Sequence, residues 1–407
     1  KFLGALVAVA VVTAISSAAW AADLRYGIKT ETPSVDPHYA TNTSSIEIGR
    51  HIFDHLINKD DLMGLQPGLA VSWKPIDDTT WEFKLRKGVK WHDGSPFTAD
   101  DVLFSFNRAA TIPSPTSFKQ YIAAKTGIKI DDHTVHVKTA EPNPLMATDL
   151  AAFAIVSKKH AEGASSADFN SGKVTIGTGP FKFVEWKRGD RLVLEANPNY
   201  WGGKPKWDRV IFKPIKSDAT RVATLKSGGV DIIDRVPTTD IQGLIKDPKI
   251  VVSSGTGNRP FYLWLDSRRD LSPFVWNNDG TPAWPNPLRD WKVRKALSLA
   301  INRQGIVDRV FEGSAVVGTQ LLPEGFYGYN ADLKPEPYDP GKAKALLAKA
   351  GYPDGFKVTL HSSSGGYLND TGVAEAVAQM WSQVGIKTDV VLNPKQVFFS
   401  KITGKMN

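Results

Sequence analysis

The clearest pattern of apolar and polar positions is a strand, a turn and a helix within residues 79–108. Trp81, Phe83 and Leu85 alternate with polar residues, which predicts a strand with one buried face. The sequence His-Asp-Gly-Ser at 92–95 predicts a tight turn. Thr98, with an acidic residue three positions later, predicts the start of a helix that carries one apolar stripe. This unit contains no catalytic constellation.

Two hairpins are predicted beside this unit. Residues 69–74 pair with 80–85, and residues 128–130 pair with 134–138, each across a short polar turn. Acidic pairs occur at 60–61, 77–78, 100–101 and 131–132. Each pair falls in a predicted turn or helix cap, where carboxylates accept hydrogen bonds from backbone amides. We therefore interpret the acidic pairs as structural and not as acid/base catalysts.

Helices alternate with strands through the rest of the chain, which predicts an α/β fold. The predicted strands are 24–29, 181–186, 192–196, 210–215, 230–233, 260–266, 356–361 and 386–392. The predicted helices begin at a Ser44–Glu47 capping box, at Ser217, at Asp290 and at Asp339-Pro340, and a last one spans 373–384. The glycine-rich sequence at 177–180 precedes a strand, so we interpret it as a turn and not as a phosphate loop.

His51 and His55 are four residues apart on the first predicted helix. They could share a metal ion, or they could be partly buried groups beside the apolar stripe. The pattern lacks the glutamate of a zinc-protease helix, and no third ligand is evident. We favour the second interpretation and expect no metal site.

The N-terminus has the layout of a secretory leader. Lys1 precedes an apolar run that ends in Ala19-Trp20-Ala21, so residues 1–21 are predicted to be a signal peptide, with cleavage before Ala22. The chain has no cysteine, which excludes disulfides and a lipid-bearing N-terminal cysteine. We expect a protein that is free in the periplasm and not lipid-anchored.

The composition is that of an ordinary soluble globular protein, with 42% hydrophobic and 23% charged residues. The formal net charge is +8, but the basic residues are interspersed with acidic ones and form no long run. Nucleic-acid binding is therefore not expected.

Several segments resemble family 5 of the bacterial extracellular solute-binding proteins, the peptide/nickel-binding type. They are residues 79–108, 177–215, 223–232, 293–310, 338–362 and 380–390. The resemblance implies a two-lobe periplasmic-binding-protein type II fold with an extra subdomain. It places lobe I at 22–43 and 175–259, the extra subdomain at 44–174, and an incomplete lobe II at 260–407. Family members continue past the strand that ends near Leu392, so we expect a chain truncated at its C-terminus.

The resemblance also implies the function. It indicates a monomeric binding protein without a cofactor, which captures di- or oligopeptides for the membrane permease subunits of an ABC importer. In such proteins the cargo lies in a cleft that closes by hinge motion. Alternatives are a binder of nickel or of a small sugar, or a periplasmic hydrolase. No nucleophile elbow, triad or metal cluster supports a hydrolase.

Candidate cargo contacts are implied by the same resemblance. Glu31 lies where oligopeptide binders place a cleft glutamate, and Asp234 occupies a position similar to a cleft polar residue. The remaining candidates are aromatic. Tyr262 and Trp264 lie on one face of the predicted strand at 260–266, which crosses between the lobes, and Phe118 or Tyr121 could reach the cargo from the extra subdomain. Tyr262 and Trp264 could equally be core aromatics, and Asp234 could be a turn residue at the end of a strand.

Residues 270–290 contain four prolines, which excludes a helix or a central strand and predicts a long exposed loop. Trp276 and Trp284 give this loop apolar surface. We consider two alternatives: the loop supplies an aromatic wall for cargo, or its aromatics pack on the neighbouring lobe as an inert flap.

Overall fold

The structure is a computed structural model that describes residues 22–114, 116–122, 124–257, 259–394, 397–398 and 401. The predicted signal peptide, residues 1–21, lies outside the described residues. In the described part of the chain, no helix is both long and apolar enough to cross a bilayer.

Helices alternate with strands along the chain, as the sequence predicts. The strands are β1 (Asp23–Ile28), β2 (Ile57–Lys59), β3 (Leu65–Pro67), β4 (Ala70–Pro75), β5 (Thr80–Leu85), β6 (Thr126–Asp131), β7 (Thr134–Lys138), β8 (Phe181–Lys187), β9 (Arg191–Ala196), β10 (Arg209–Pro214), β11 (Ile232–Ile233), β12 (Val275–Trp276), β13 (Lys357–Ser364) and β14 (Lys387–Pro394). The helices are α1 (Thr43–Ile52), α2 (Ala99–Thr111), α3 (Lys119–Ile122), α4 (Met146–Leu150), α5 (Lys158–Ala161), α6 (Ser166–Asn170), α7 (Asp218–Lys226), α8 (Thr238–Ile245), α9 (Trp291–Leu299), α10 (Arg303–Arg309), α11 (Pro340–Lys349) and α12 (Asp370–Ser382).

The chain divides into two compact units. Unit 1 contains residues 22–58 and Leu65–Asp234, and unit 2 contains Lys59–Gly64 and the residues from Arg235 onward. The lobe boundaries drawn from the resemblance stay predictions.

Within the described residues, unit 1 contains a five-stranded sheet, a four-stranded sheet and two apolar cores, and β2 pairs with β3 in a separate two-stranded sheet. The five-stranded sheet has the order β11-β1-β10-β9-β8, in which β1 runs parallel to β10 and β11 and the remaining pairs are antiparallel. The four-stranded sheet has the order β4-β5-β7-β6 and is built from the two predicted hairpins. Phe83 lies fully buried in this second sheet, and α2 packs the buried side chains Val102 and Phe106 into the same core. The predicted alternation of buried and polar positions in β5 is therefore confirmed.

Unit 2 is built around the sheet β12-β13-β14, in which β13 and β14 are parallel. Helices α9, α11 and α12 supply its core with Leu299, Leu347 and Trp381, all at most 3% exposed. The predicted caps are confirmed, since Asp290 Oδ1 accepts from the Lys292 amide at 2.8 Å and Asp339 Oδ1 accepts from the Lys342 amide at 2.8 Å.

Two local predictions are wrong, and a third is correct only in part. Helix α1 is capped by Asn42, whose side chain accepts from the Ser45 amide at 2.9 Å, and not by the Ser44–Glu47 box, because Asn42 precedes that box and already satisfies the first free amides. Residues 260–266 belong to no strand, because no described strand supplies ladder partners for them. Residues 270–290 are not simply an exposed loop, because β12 pairs with β13 at the sheet edge and Val275 and Ala283 are only 1% exposed.

Candidate functional site

The turn after β5 packs against the glycine-rich turn before β8. His92 Nδ1 accepts a hydrogen bond from the Gly177 amide at 3.1 Å, and its Nε2 donates to the Gly179 carbonyl at 3.0 Å. This pairing fixes the neutral Nε2–H tautomer, and burial lowers the pKa of His92 to about 4. Because β8 follows directly, the interpretation of residues 177–180 as a turn is confirmed.

Asp54, just after α1, gathers three hydrogen bonds from two distant turns. Its carboxylate accepts from Thr178 Oγ1 at 2.9 Å, from Trp201 Nε1 at 2.7 Å and from the Tyr200 hydroxyl at 3.2 Å. Burial raises the pKa of Asp54 above its ordinary value, although these three hydrogen bonds favour the ionised form. The carboxylate is therefore fully engaged in joining α1 to the turns at 177–180 and 197–201.

The two histidines considered as metal ligands do not share a helix face. His51 Nδ1 contacts the Glu47 carbonyl at 2.8 Å inside α1, and burial lowers the pKa of His51. His55 lies beyond the end of α1 and forms an isolated bridge with Ala154. Among the residues that the structure describes, no group of three potential metal ligands is found.

The acidic pairs act as the sequence predicts. Asp60, Asp77 and Asp131 each accept a hydrogen bond from a backbone amide in their own turn, and Asp101 accepts from the Thr98 and Lys158 amides. Their role as turn and cap residues is confirmed.

The loop after β1 is held by a buried ion pair. Asp36 is 1% exposed, and its two carboxylate oxygens accept from the Arg108 guanidinium at 2.9 and 2.7 Å and from Ser166 Oγ at 2.7 Å. Burial alone would raise the pKa of Asp36, but the hydrogen bonds and charge of Arg108 lower it below its ordinary value. The pair fixes the loop that carries Glu31.

Glu31 lies at the rim of a shallow pocket in unit 1. Its Oε1 accepts from Trp186 Nε1 at 3.1 Å and from the Gly189 amide at 2.9 Å. The pocket floor is apolar and includes Ile28 and Phe212, and its empty space is about 200 Å³, open solvent included. Because this figure includes open solvent, the space left for a bound group is about that of one water molecule, and the pocket by itself holds no cargo.

Asp234 lies at the carboxyl edge of the parallel strands, where ligands of α/β proteins bind. Its Oδ1 accepts from the Lys29 amide at 2.7 Å, and its carbonyl accepts from Arg221 Nε at 3.1 Å. Arg221 is fully buried and also donates to the Ile215 carbonyl at 3.0 Å. Asp234 therefore helps to join the ends of β1, β10 and β11, and its cargo role stays a prediction.

Phe118 and Tyr121 lie together in unit 1, with ring centroids 6.1 Å apart. Phe118 is 3% exposed and belongs to the apolar core, whereas Tyr121 is half-buried and packs against that core. Of the two, only Tyr121 presents surface to a ligand.

Like Trp284, the predicted site residues Tyr262 and Trp264 of unit 2 are largely exposed. They are 62% and 75% exposed, and their ring centroids are 6.3 Å apart. The intervening Leu263 and the following Leu265 pack against the unit 2 core. This alternation is typical of extended backbone.

Sequence reasoning missed two neighbouring aromatics. The Phe261 ring packs edge-to-face on Phe311 at 5.5 Å and on Tyr367 at 6.5 Å. Phe261 could have been found from its place in the run 261–264, whereas Tyr367 follows a Gly-Gly turn that gives no comparable signal. We call Phe261, Tyr262, Trp264 and Tyr367 the aromatic surface of unit 2.

Trp276 and Trp284 differ in their surroundings. Trp276 is half-buried in β12, where it pairs with Lys357 of β13. Trp284 is 75% exposed. The segment that carries them is anchored on the unit 2 core, and its role as a wall or a flap stays a prediction.

Comparison with known proteins gives consistent matches over most of the chain. The model of the bacterial extracellular solute-binding proteins, family 5 Middle, matches residues 64–404. The chain is 30% identical to heme-binding protein A of Haemophilus influenzae, over 86% of this chain and 66% of that protein. It is also 30% identical to the dipeptide-binding protein of Escherichia coli, over 86% of this chain and 67% of that protein.

The chain also matches solved structures over most of its length. NikZ from Campylobacter jejuni in complex with Ni(L-His) matches with a TM-score of 0.74 at 25% identity, over 93% of this chain and 75% of that chain. This likeness confirms the predicted mixed α/β fold. The chain spans about two thirds of the length of the two curated relatives.

Proposed function

Because the chain belongs to the bacterial extracellular solute-binding proteins of family 5, we propose that it captures di- or oligopeptides and delivers them to the membrane subunits of an ABC importer. Family membership confirms the expectation of a binding protein and not an enzyme. Export by cleavage before Ala22 and release into the periplasm without a lipid anchor are part of the same proposal.

The choice of peptide over other cargo needs its own support, since the relatives are named for dipeptide and for heme and one solved structure holds Ni(L-His). The observation that carries the choice is the exposed backbone beside the aromatic surface. Within the described part of the chain, the backbone of Phe261–Trp264 makes no hydrogen bond, while the side chains of Tyr262 and Trp264 project into solvent.

An extended peptide matches this arrangement. Its backbone can form main-chain hydrogen bonds with an unpaired extended segment, and its side chains can pack on the aromatic rings. Nickel and a small sugar remain the alternative cargoes.

Native mass spectrometry of the protein purified from a periplasm tests the cargo class directly, because a co-purified ligand reports its own mass. A di- or oligopeptide mass is expected. A heme, nickel-complex or sugar mass would overturn the peptide assignment while leaving the binding-protein assignment in place.

A Tyr262→Ala/Trp264→Ala variant tests the surface. We expect peptide affinity to fall by about 1–3 kcal/mol, as for truncation of central interface aromatics, with little change in melting temperature because both rings are exposed. The matched control is Trp291→Ala/Tyr327→Ala, which removes a tryptophan and a tyrosine of unit 2 that are 60% and 92% exposed. Equal peptide binding by the two double variants would contradict the proposal.

A further inference from the structure

The loop between β13 and α12 converges on one buried carboxylate. Asp370, the first residue of α12, is 5% exposed. Its Oδ2 accepts from Ser363 Oγ at 2.6 Å, from the Gly366 amide at 3.0 Å and from the Tyr367 amide at 3.1 Å, and its Oδ1 accepts from the Gly365 amide at 3.1 Å.

Three successive backbone N–H groups that point at one centre form a concavity that binds an anion, and the N-terminus of a helix adds its positive dipole. In this chain, the side chain of Asp370 itself fills that concavity. The backbone amides of residues 365–367 are therefore already bonded to the Asp370 carboxylate and are not available to another anion.

The same hydrogen bonds hold Tyr367 in place. The Tyr367 ring lies edge-to-face against Phe261, with centroids 6.5 Å apart, and Phe261 packs in turn on Phe311. Asn369 secures the other end of the loop, since its Nδ2 donates to the Val310 carbonyl at 2.5 Å. The loop thus presents an aromatic ring against Phe261 and close enough to Tyr262 for an electrostatic interaction.

We propose that Asp370 is a positioning residue that sets specificity. By filling the anion-binding concavity it fixes Tyr367 in the aromatic surface, so that this surface takes an apolar side chain of the cargo and not a carboxylate. The inference rests on the proposed peptide-binding function.

Amide hydrogen exchange tests the positioning without any ligand. Asp370→Asn places amide N–H donors against the loop N–H groups, so we expect the Gly365, Gly366 and Tyr367 amides to exchange at least about tenfold faster than in the wild type. Asp339→Asn, which alters the cap of α11 in the same unit, is the matched control and should leave these three rates unchanged. Unchanged rates in Asp370→Asn would overturn the inference.

The dipeptides Ala-Phe, Ala-Ala and Ala-Glu test the specificity. In calorimetric titrations of the wild type we expect Ala-Phe to bind about tenfold more tightly than Ala-Ala, and Ala-Glu to bind no more tightly than Ala-Ala, because burying an aromatic ring contributes about 1.4 kcal/mol or more. In Asp370→Asn the Ala-Phe preference should fall to about threefold or less. Combining Asp370→Asn with Tyr367→Ala should cause no further fall, because both changes remove the same ring from the surface.

The outcomes separate the two proposals. If the wild type binds none of the three dipeptides nor any longer peptide, the peptide proposal fails, and this inference fails with it. If the wild type binds dipeptides and Asp370→Asn only melts earlier while keeping the Ala-Phe preference, the inference alone is overturned. Additive effects of the Asp370 and Tyr367 changes would also overturn it.

Discussion

His38 is fully buried beside the Asp36–Arg108 ion pair and is locked in one protonation state. Its Nδ1 accepts from Arg108 at 3.1 Å, and its Nε2 donates to the Ala154 carbonyl at 2.8 Å. Burial, followed by the positive charge of Arg108, lowers the pKa of His38 to about 4. The residue therefore supports the Glu31 loop as a neutral imidazole.

This pKa predicts a pH dependence of stability. The folded-state pKa of about 4 lies below the ordinary value of 6.5, so the unfolded chain takes up the proton first, and the free energy of unfolding falls as the pH drops from 6.5 toward 4. The loss is about 3 kcal/mol at 1.36 kcal/mol per pKa unit. The glutamine side chain of His38→Gln does not titrate. Between pH 7 and pH 4 the free energy of unfolding of this variant, measured by denaturant unfolding, should therefore fall by about 3 kcal/mol less than that of the wild type. A variant whose stability falls as steeply as that of the wild type would show that His38 does not cause the dependence.

The end of α1 and the turn before β8 touch without room for a side chain. A Cβ on Gly177 would lie 1.7 Å from the Ile52 carbonyl oxygen, and one on Gly179 would lie 2.7 Å from it. Both contacts are with backbone, which cannot move aside without unwinding the last turn of α1. The glycines are needed for close packing and not for a phosphate.

Gly177→Ala should therefore destabilise unit 1 by about 3 kcal/mol or more, or prevent its folding, because the overlap is with backbone. Gly49→Ala is the matched control, since Gly49 lies within α1 and a Cβ there meets nothing within 4 Å. That control should be stabilising by up to about 1 kcal/mol through helix propensity. Chemical denaturation measures both, and a Gly177→Ala protein as stable as Gly49→Ala would contradict this packing.

Elements whose signals are local could be predicted from the sequence. The β4–β5 and β6–β7 hairpins and the caps at Asp290 and Asp339 each depend on residues within one turn of each other. The predicted strand at 260–266 is wrong for the opposite reason. An apolar run forms a strand only where a partner strand supplies ladder hydrogen bonds, and the sequence does not show that partner.

The candidate site was predictable in part. Tyr262 and Trp264 stand in one run of alternating residues, so their shared exposed face follows from the period of two. Tyr367 and Asp370 are about a hundred residues away in sequence, and only the fold brings Tyr367 to Phe261. The burial of Phe118 could not be predicted, because the sequence of a loop-rich segment does not show whether an aromatic residue lies in the core or on the surface.

The chain forms two units with separate apolar cores. Leu194 is fully buried in a core of unit 1, and Leu299 is fully buried in the core of unit 2. Each core joins elements from distant parts of its own unit, which is the condition for cooperative unfolding of that unit.

This organisation predicts two thermal transitions that respond separately to core mutations. Leu194→Ala and Leu299→Ala each remove the same group from a fully buried site, so each should cost about 2–5 kcal/mol through lost burial and a residual cavity. For units of about 150–250 residues, such a loss lowers a melting temperature by roughly 5–15 °C. In differential scanning calorimetry, Leu194→Ala should lower one transition and Leu299→Ala the other, with the unaffected transition within about 1 °C of the wild type. If both variants lower a single common transition by the same amount, the two units unfold as one cooperative body and the separate cores do not act as independent folding units.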